Sequence, residues 1–221
     1  MRGLYAIVDL GVLAERGIDP VAFAGAVLRA RPAALQLRAK EAPAREVLAL
    51  LRALVPLCRV AGAQLVANDR ADLAALAGCD AVHIGQDDIP VDLVHRIAPK
   101  LGVGISTHDL DQLDRALDAR PSYVAFGPVF ATSTKKNPDP VVGLERLRAA
   151  VERARARGVP VVAIGGVSLD RTAEVSRVSD AAAVISDLLP PEGGSLEDVA
   201  RRASSLHAAL MGGVATDEAR P

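Results

Sequence analysis

The sequence has few cysteines, little net charge and no long apolar run. Its 221 residues include two cysteines, Cys58 and Cys79, and both lie among Ala, Leu and Val, which is typical of ordinary buried thiols and not of a disulfide or redox pair. The 26 basic and 27 acidic residues leave a formal net charge of -1. This balance does not favour bulk binding to nucleic acid or to an anionic membrane, so any anion site must be local.

The apolar content predicts a core and not a membrane span. Half of the residues are hydrophobic and the mean hydropathy is +0.24, but no segment reaches the roughly 18 consecutive apolar residues that a spanning helix needs. Residues 1–9 run directly into a strand-like segment without a basic region followed by an apolar one, so we expect no secretory signal and a cytoplasmic location.

Short apolar runs alternate with segments of helical periodicity. In one such segment Val47, Leu51, Leu54 and Cys58 fall on one helical face. Strands that alternate with helices lie parallel, because each crossover returns the chain to the same end of the sheet. The predicted strands are Leu4–Val8, Ala34–Leu37, Gln64–Ala67, Ala81–Ile84, Val103–Ile105, Tyr123–Phe126, Val159–Ile164 and Ala181–Ile185.

Eight such units are enough to close an α/β barrel. We therefore predict a single-domain (β/α)8 TIM barrel over residues 1–210, followed by a flexible tail over residues 211–221. An open doubly wound sheet is the main alternative. It is disfavoured because the first βα turn has no G-x-G-x-x-G and because polar residues follow most of the strands, not one switch point.

In a barrel the loops after the strands form the active face, which directs attention to the polar residues there. After the second strand, Gln36, Arg38 and Lys40 occupy alternate positions and are predicted to face the barrel axis together. Half-buried cations without acidic neighbours are unfavourable by several kcal/mol, so we expect an anion to meet them. The alternative is a pair of cations that faces outward into solvent at the end of the strand.

Carboxylates follow the third and fourth strands. If these strands are neighbours, Asp69 and Asp88 converge, and two carboxylates with an open coordination sphere suit Mg²⁺ completed by substrate phosphate oxygens. The alternative interpretation makes Asp69 and Asp87 helix N-caps.

The remaining strand ends carry hydroxyls, glycines and two adjacent lysines, Lys135 and Lys136. The segment after the sixth strand is not a P-loop, but its hydroxyls and Lys135 could surround an anion, and residues 128–138 could form a mobile lid. Gly165-Gly166 and Ile185-Ser186 end the last two strands, where many barrels bind a phosphate through backbone N–H groups. Gly165-Gly166 could also be only a tight turn, and His108 only a polar cap or solvent contact.

Taken in order, these motifs resemble those of the thiamine phosphate synthase family over most of the chain. The motifs are Leu4-Tyr5 with Asp9, Gln36-x-Arg38-x-Lys40, Asn68-Asp69-Arg70, His83-Ile84-Gly85-Gln86-x-Asp88, Ser106-Thr107-His108, Gly127-Pro128-Val129-Phe130-x-Thr132-x-Thr134-Lys135 and Ala163-Ile164-Gly165-Gly166. The resemblance implies an enzyme that joins a hydroxymethylpyrimidine pyrophosphate to a thiazole phosphate and releases pyrophosphate, with Mg²⁺ as cofactor and two small-molecule substrates.

The resemblance also implies a role for each site residue. Arg38, Lys40 and Lys135 would be catalytic, because they stabilise the leaving pyrophosphate, and Asp69 and Asp88 would bind the metal. Gln36 would contact the pyrimidine. The pyrophosphate would be held by Arg38, Lys40, Asn68, Ser106 and Lys135, the thiazole or its neighbouring phosphate would lie near Thr132 and Thr134, and the thiazole phosphate would be held by Gly166, Ile185 and Ser186.

Three other functions stay open at this point. A thiazole tautomerase-like paralogue would replace the pyrophosphate-binding set by an acid/base residue, and that set is intact here. A phosphosugar epimerase would place acid/base residues around one phosphate, whereas two anion sites are predicted. A non-catalytic barrel that binds a phosphorylated ligand is the third.

Overall fold

Eight parallel strands form the centre of the molecule. The computed structural model describes residues 1–132 and 139–212. Within them the strands form a closed barrel in chain order, in which the first strand pairs with both the second and the eighth. The strands are β1 (Gly3–Asp9), β2 (Ala34–Arg38), β3 (Gln64–Asn68), β4 (Ala81–Ile84), β5 (Gly102–Thr107), β6 (Tyr123–Phe126), β7 (Val161–Ala163) and β8 (Ala181–Val184).

Helices surround the barrel and connect its strands. Their ends follow local rules: Asp9, Asp19 and Asp109 each accept a hydrogen bond from a backbone N–H of the first turn, and Gly62 ends the longest helix in the left-handed conformation at φ 72°. The helices are α1 (Leu10–Glu15), α2 (Pro20–Leu28), α3 (Ala44–Ala61), α4 (Ala71–Ala77), α5 (Val91–Ile97), α6 (Leu110–Asp118), α7 (Gly143–Ala156), α8 (Thr172–Ser176) and α9 (Leu196–Gly212).

The apolar residues divide into two cores. The larger core lies between the barrel and its helices and includes Leu35, Leu51 and Leu206. The smaller one fills the barrel interior, where Tyr5 and Tyr123 are surrounded mainly by small or β-branched side chains. Alternate residues of each strand supply the two cores, so the interior holds one side chain from every second strand position.

The predicted fold is confirmed, and the open doubly wound alternative is wrong because β1 pairs with β8. β4 and β6 have the predicted bounds. β7 is shorter than predicted at both ends: Pro160 has no N–H for the strand ladder, and Gly165 turns away with φ 94°. β5 is longer and includes Thr107, whose hydroxyl donates to the Ala125 carbonyl at 2.9 Å.

The two cysteines are free thiols, as predicted, with Cys58 buried and Cys79 half-buried. The division into a barrel over residues 1–210 and a tail stays a prediction; α9 itself continues to Gly212, and residues 213–221 lie outside the described part of the chain. None of the helices in the described ranges combines the length and apolar character needed to cross a bilayer.

Candidate active site

A cavity of about 230 Å³ opens at the carboxyl ends of the strands. All eight strands or the loops that follow them contribute to its wall. Of the predicted site residues, the cavity is lined by Gln36, Arg38, Lys40, Asn68, Asp69, Ser106, Thr132, Gly166, Ile185 and Ser186. Thr134 and Lys135 fall outside the described residues, as does most of the predicted lid over residues 128–138.

The two predicted metal ligands meet at the edge of this cavity. Asp69 follows β3, and its backbone N–H donates to the His83 carbonyl on β4 at 2.8 Å. Asp88 does not line the cavity, but its carboxylate closes the turn after β4 by accepting from Gly85 N at 2.6 Å and is hydrogen-bonded to Asp69. The neighbouring strands therefore bring the two carboxyl groups into contact.

The acidic pair is electrostatically unfavourable without a cation. Burial, the Asp88 charge and the hydrogen bond to Asp88 raise the pKa of Asp69 to about 6, while Lys40 and Arg38 act in the opposite direction. Asp69 also has φ 61°, a left-handed conformation that is uncommon for a residue other than glycine and is often found at functional sites. The left-handed backbone at Asp69 thus places its carboxylate beside that of Asp88.

The interpretation of Asp69 and Asp87 as helix N-caps is wrong. α4 begins after Arg70 and α5 after Pro90, and neither Asp69 nor Asp87 caps a helix. Within residues 1–132 and 139–212, no set of three or more His, Cys, Asp or Glu side chains is arranged to hold a metal ion. A two-carboxylate donor set fits Mg²⁺, which commonly keeps several waters and takes its other ligands from substrate phosphate.

Arg38 has an acidic neighbour that the sequence did not indicate. Its guanidinium contacts the carboxylate of Asp9, which is 5 % exposed and also accepts from Val12 N at 3.2 Å. The expectation that Arg38 has no acidic neighbour is therefore wrong, and the anion expected at Arg38 and Lys40 stays a prediction. Arg38 and Lys40 nevertheless line the cavity, so the alternative of two solvated cations at the strand end is also wrong.

Two glycines let the loops after β6 and β7 approach each other. A Cβ on Gly165 would lie 2.4 Å from Pro128 Cβ, and one on Gly166 would lie 2.4 Å from the Ala131 carbonyl oxygen. Arg171 joins the same region, because it donates to the Gly166 carbonyl at 2.7 Å and its guanidinium lies 4.5 Å from the centre of the Phe130 ring. The glycines form a tight turn and also line the cavity.

A line of buried polar groups crosses the cavity floor. Gln36 Nε2 donates to the Tyr5 hydroxyl at 2.9 Å, and the hydroxyls of Tyr5 and Tyr123 are 2.8 Å apart. His83 Nδ1 lies 3.0 Å from the Tyr123 hydroxyl, and His83 Nε2 lies 2.8 Å from Ser106 Oγ. Tyr5, Tyr123 and His83 had no predicted role, although a polar His83 inside an apolar strand was a usable signal.

His108 belongs to the site and is more than a helix cap. Its Nδ1 lies 2.7 Å from the Gly127 carbonyl oxygen and its Nε2 lies 3.6 Å from the Asp139 carboxylate. Both side chains line the cavity. His108 therefore links the end of β5 to the loop that follows β6.

The thiamine monophosphate synthase family model matches residues 4–188 of the chain. The chain belongs to the thiamine monophosphate synthase family. A relative from Roseiflexus sp., named thiamine-phosphate synthase, is 40% identical over 94% of this chain and 84% of its own length. Another with the same name, from Anaeromyxobacter dehalogenans, is 42% identical over 100% of this chain and 93% of its own.

A solved structure supports the same assignment. The thiamine phosphate pyrophosphorylase from Pyrococcus furiosus superposes with a TM-score of 0.82 at 32% identity, covering 96% of each chain. Membership of the thiamine monophosphate synthase family confirms the resemblance found in the sequence and does not favour the tautomerase-like or non-catalytic alternatives. A metal-dependent reaction is consistent with this family.

Proposed function

We propose that the chain is a thiamine phosphate synthase, a transferase that joins 4-amino-2-methyl-5-hydroxymethylpyrimidine pyrophosphate to thiazole phosphate and acts in the cytoplasm. The observation that carries the proposal is the cavity itself, which is lined by Asp69, two cations, Gly165-Gly166 and the end of β8 in a member of this family, with Asp88 at its edge. Such a lining suits one anion that binds with a metal beside Asp69 and a second that binds without one at the glycines.

The proposed roles are those that the family resemblance implies, for residues that line the cavity. Arg38, Lys40, Asn68 and Ser106 lie on the side of Asp69 and bind the pyrophosphate, while Gln36 on the floor contacts the pyrimidine. Thr132, Gly166, Ile185 and Ser186 lie at the ends of β6 to β8 and bind the thiazole phosphate. Lys135 and Thr134, outside the described residues, join these groups by family resemblance alone.

The protein's task is to stabilise the leaving group. The bond between the pyrimidine methylene carbon and the pyrophosphate oxygen breaks, the amino-substituted ring stabilises the resulting cation, and the thiazole nitrogen then forms the new C–N bond. Arg38, which Asp9 already holds, and Lys40 both line the cavity and would donate to the oxygen on which negative charge grows; one such donor typically contributes about 3–4 kcal/mol. Positioning of the thiazole supplies much of the rest.

Asp69 and Asp88 would hold the Mg²⁺. When bound, the ion neutralises charge on the pyrophosphate and makes it a better leaving group. The contact between the two carboxyl groups and the raised pKa of Asp69 support this assignment, because a divalent cation relieves the repulsion between them.

The test is product formation from the two substrates. Purified protein with Mg²⁺ should yield thiamine phosphate and pyrophosphate in equal amounts, and EDTA should stop both. Asp88→Ala should abolish the Mg²⁺-dependent turnover and remain folded by circular dichroism. Asp87→Ala is the matched control, since Asp87 is an exposed neighbour outside the cavity wall. Normal turnover by Asp88→Ala would remove this carboxylate from the metal site.

A further inference from the structure

The polar groups on the cavity floor form one continuous chain of hydrogen bonds. In spatial order the chain is Gln36, Tyr5, Tyr123, His83 and Ser106, and its members come from β2, β1, β6, β4 and β5. The two ends, Gln36 and Ser106, are proposed ligands of different parts of one substrate. The three inner residues connect these ends across the barrel.

The inner residues are held rigidly in place. Tyr5 and Tyr123 are each 2 % exposed, and the His83 ring stacks on Tyr123 with centroids 5.6 Å apart and planes 19° apart. Tyr123 occupies a slot opposite Gly104, where a Cβ would lie 2.0 Å from Tyr123 Cζ. Rotation of the ring away from its partners would meet packed backbone, so each hydroxyl keeps the same two neighbours.

Each inner group has one proton to donate. Burial raises the pKa of both phenols well above their ordinary value, and the buried His83 ring lies between two hydroxyls, with Nδ1 3.0 Å from Tyr123 and Nε2 2.8 Å from Ser106. A phenol that accepts from one neighbour must then donate to the other, and a neutral imidazole donates through one nitrogen and accepts through the other. The hydrogen bonds along the chain therefore all run in one direction, either from Gln36 toward Ser106 or from Ser106 toward Gln36.

The two directions present different groups to a ligand. If Gln36 donates to Tyr5, then Tyr123 donates to His83 Nδ1, and His83 carries its proton on Nε2 and donates to Ser106. Ser106 is then free to donate its own proton into the cavity, and the Gln36 carbonyl oxygen is free to accept. In the reverse direction Ser106 donates to His83 and offers only lone pairs, which an anion would repel.

We propose that Tyr5, Tyr123 and His83 are positioning residues that form a hydrogen-bond relay of fixed direction, which makes Gln36 an acceptor and Ser106 a donor toward the substrate. The contact of Gln36 Nε2 with the Tyr5 hydroxyl sets this direction. The identity of the ligand, an aminopyrimidine that carries a pyrophosphate, rests on the proposed function. In this direction Gln36 can accept from a donor on the pyrimidine ring, and Ser106 can donate to the pyrophosphate of the same ligand.

The proton position on His83 gives a readout that requires no turnover. Two-bond ¹⁵N–¹H spectra of the wild-type chain should show His83 protonated on Nε2, with and without inorganic pyrophosphate and Mg²⁺. The His83→Gln spectrum identifies its signals among the four histidines. Gln36→Glu, recorded at a pH at which the ¹³Cδ shift shows the new carboxylate to be ionised, can only accept from Tyr5 and should move the His83 proton to Nδ1.

Gln86→Glu is the matched control for this experiment. Gln86 Nε2 donates to the backbone carbonyl of Ser106 at 2.6 Å, so the substitution adds the same charge beside the end of the relay and leaves every side-chain hydrogen bond of the relay in place. The His83 proton should stay on Nε2 in that variant. A wild-type His83 protonated on Nδ1, or a proton that stays on Nε2 in Gln36→Glu, would overturn the relay.

Kinetics supply the second test. Tyr123→Phe keeps the ring and removes the central hydroxyl, and kcat/KM for the pyrimidine pyrophosphate should fall at least about tenfold. Thr107→Val removes a buried hydroxyl from the next position of β5, where it contacts the Ala125 carbonyl and not the relay, and should stay within about twofold of wild type.

The outcomes separate the two proposals. An active wild type with an unaffected Tyr123→Phe variant would overturn the relay and leave the proposed function standing. A wild type that forms no product would contradict the proposed function, and the His83 spectra would still decide the direction of the hydrogen bonds.

Discussion

Arg38 has two functions that a single substitution would disturb together. Its guanidinium neutralises the buried carboxylate of Asp9 and also faces the cavity where the pyrophosphate is proposed to bind. Before the substrate arrives, Asp9 fixes the direction of the Arg38 side chain. Loss of Arg38 should therefore reduce both turnover and stability, for separate reasons.

We expect Arg38→Ala to lose at least about tenfold in turnover, because one donor to the leaving group disappears. It should also lose about 1–3 kcal/mol in free energy of unfolding, since the Asp9 carboxylate loses its cationic partner. Adding Asp9→Asn keeps a side-chain oxygen for Val12 N and should recover the stability and not the turnover. Urea denaturation and product assays measure the two effects, and a wild-type rate would remove Arg38 from the site.

Asp69 gives a prediction for pH. Its pKa in the folded chain, about 6, lies above the ordinary value of an aspartate, so its protonated form stabilises the fold and that contribution is lost as the pH rises through about 6. In metal-free protein, Asp69→Asn should therefore become more stable relative to wild type between about pH 4.5 and pH 7.5. Urea denaturation at both pH values measures this, and a pH-independent difference would contradict the raised pKa.

The same ionisation should set the response to metal. Because Mg²⁺ binds the carboxylate form, its half-saturating concentration in the product assay should rise as the pH falls below about 6. Asp69→Asn should show weak Mg²⁺ dependence at every pH tested.

The sequence predicted the polar cavity residues at the carboxyl ends of strands better than the aromatic ones in the barrel interior. Gln36, Arg38 and Lys40 were found because alternation along a strand places them on one side. Tyr5 and Tyr123 were missed because a tyrosine in an apolar strand looks like ordinary core until its hydroxyl partners are known. The Arg38–Asp9 contact joins adjacent strands at paired positions, which only the register reveals.

At the scale of the strand, the absence of a side chain at Gly104 leaves the space that the Tyr123 ring occupies, and so sets the position of the Tyr123 hydroxyl. A methyl group there would lie 2.0 Å from Tyr123 Cζ and 2.4 Å from its hydroxyl oxygen. β5 and β6 are paired at this position, so neither backbone can move away without breaking the barrel ladder.

Gly104→Ala should lower the free energy of unfolding by about 1–3 kcal/mol through overpacking. The control is Gly25→Ala in α2, where a Cβ meets nothing within 4 Å and the change to alanine should be neutral or stabilise the helix by about 0.5–1 kcal/mol. Urea denaturation compares the two. Equal stability of Gly104→Ala and wild type would mean that Tyr123 can shift freely.

Element boundaries followed from the sequence where polar or special residues mark them. β4 and β6 were predicted at their observed bounds because turn residues flank short apolar runs. β5 was predicted too short because Ser106 and Thr107 are polar, yet both hydroxyls find partners that let the strand continue. Such partners depend on neighbouring strands and leave no trace in local composition.

At the scale of the molecule, barrel closure depends on the last helix. α9 packs on α2, α8 and β1, and so covers the junction where β1 and β8 meet. Its buried side chains are Val199, Ala200, Ala203, Leu206 and Leu210. The barrel could be predicted from the sequence because a short apolar run followed by a segment of helical periodicity recurs eight times along the chain.

Leu206→Ala should cost about 2–5 kcal/mol of unfolding free energy, since Leu206 is 1 % exposed and its removal leaves a cavity. Leu196→Ala, at the start of the same helix and 41 % exposed, should stay within about 0.5 kcal/mol of wild type. Chemical denaturation measures both. Similar losses in the two variants would show that α9 is not held mainly by its buried face.

The small side chains inside the barrel allow single substitutions to change the volume of the cavity. Ala125 and Ala183 line the cavity from β6 and β8, and both belong to the interior core, not to the layer beneath the helices. One added carbon at either position would reshape the space for a heterocyclic ring while the rim cations and the outer shell stay as they are. The choice of ligand can thus diverge among related barrels through single methyl groups, independently of the contacts that keep the chain folded.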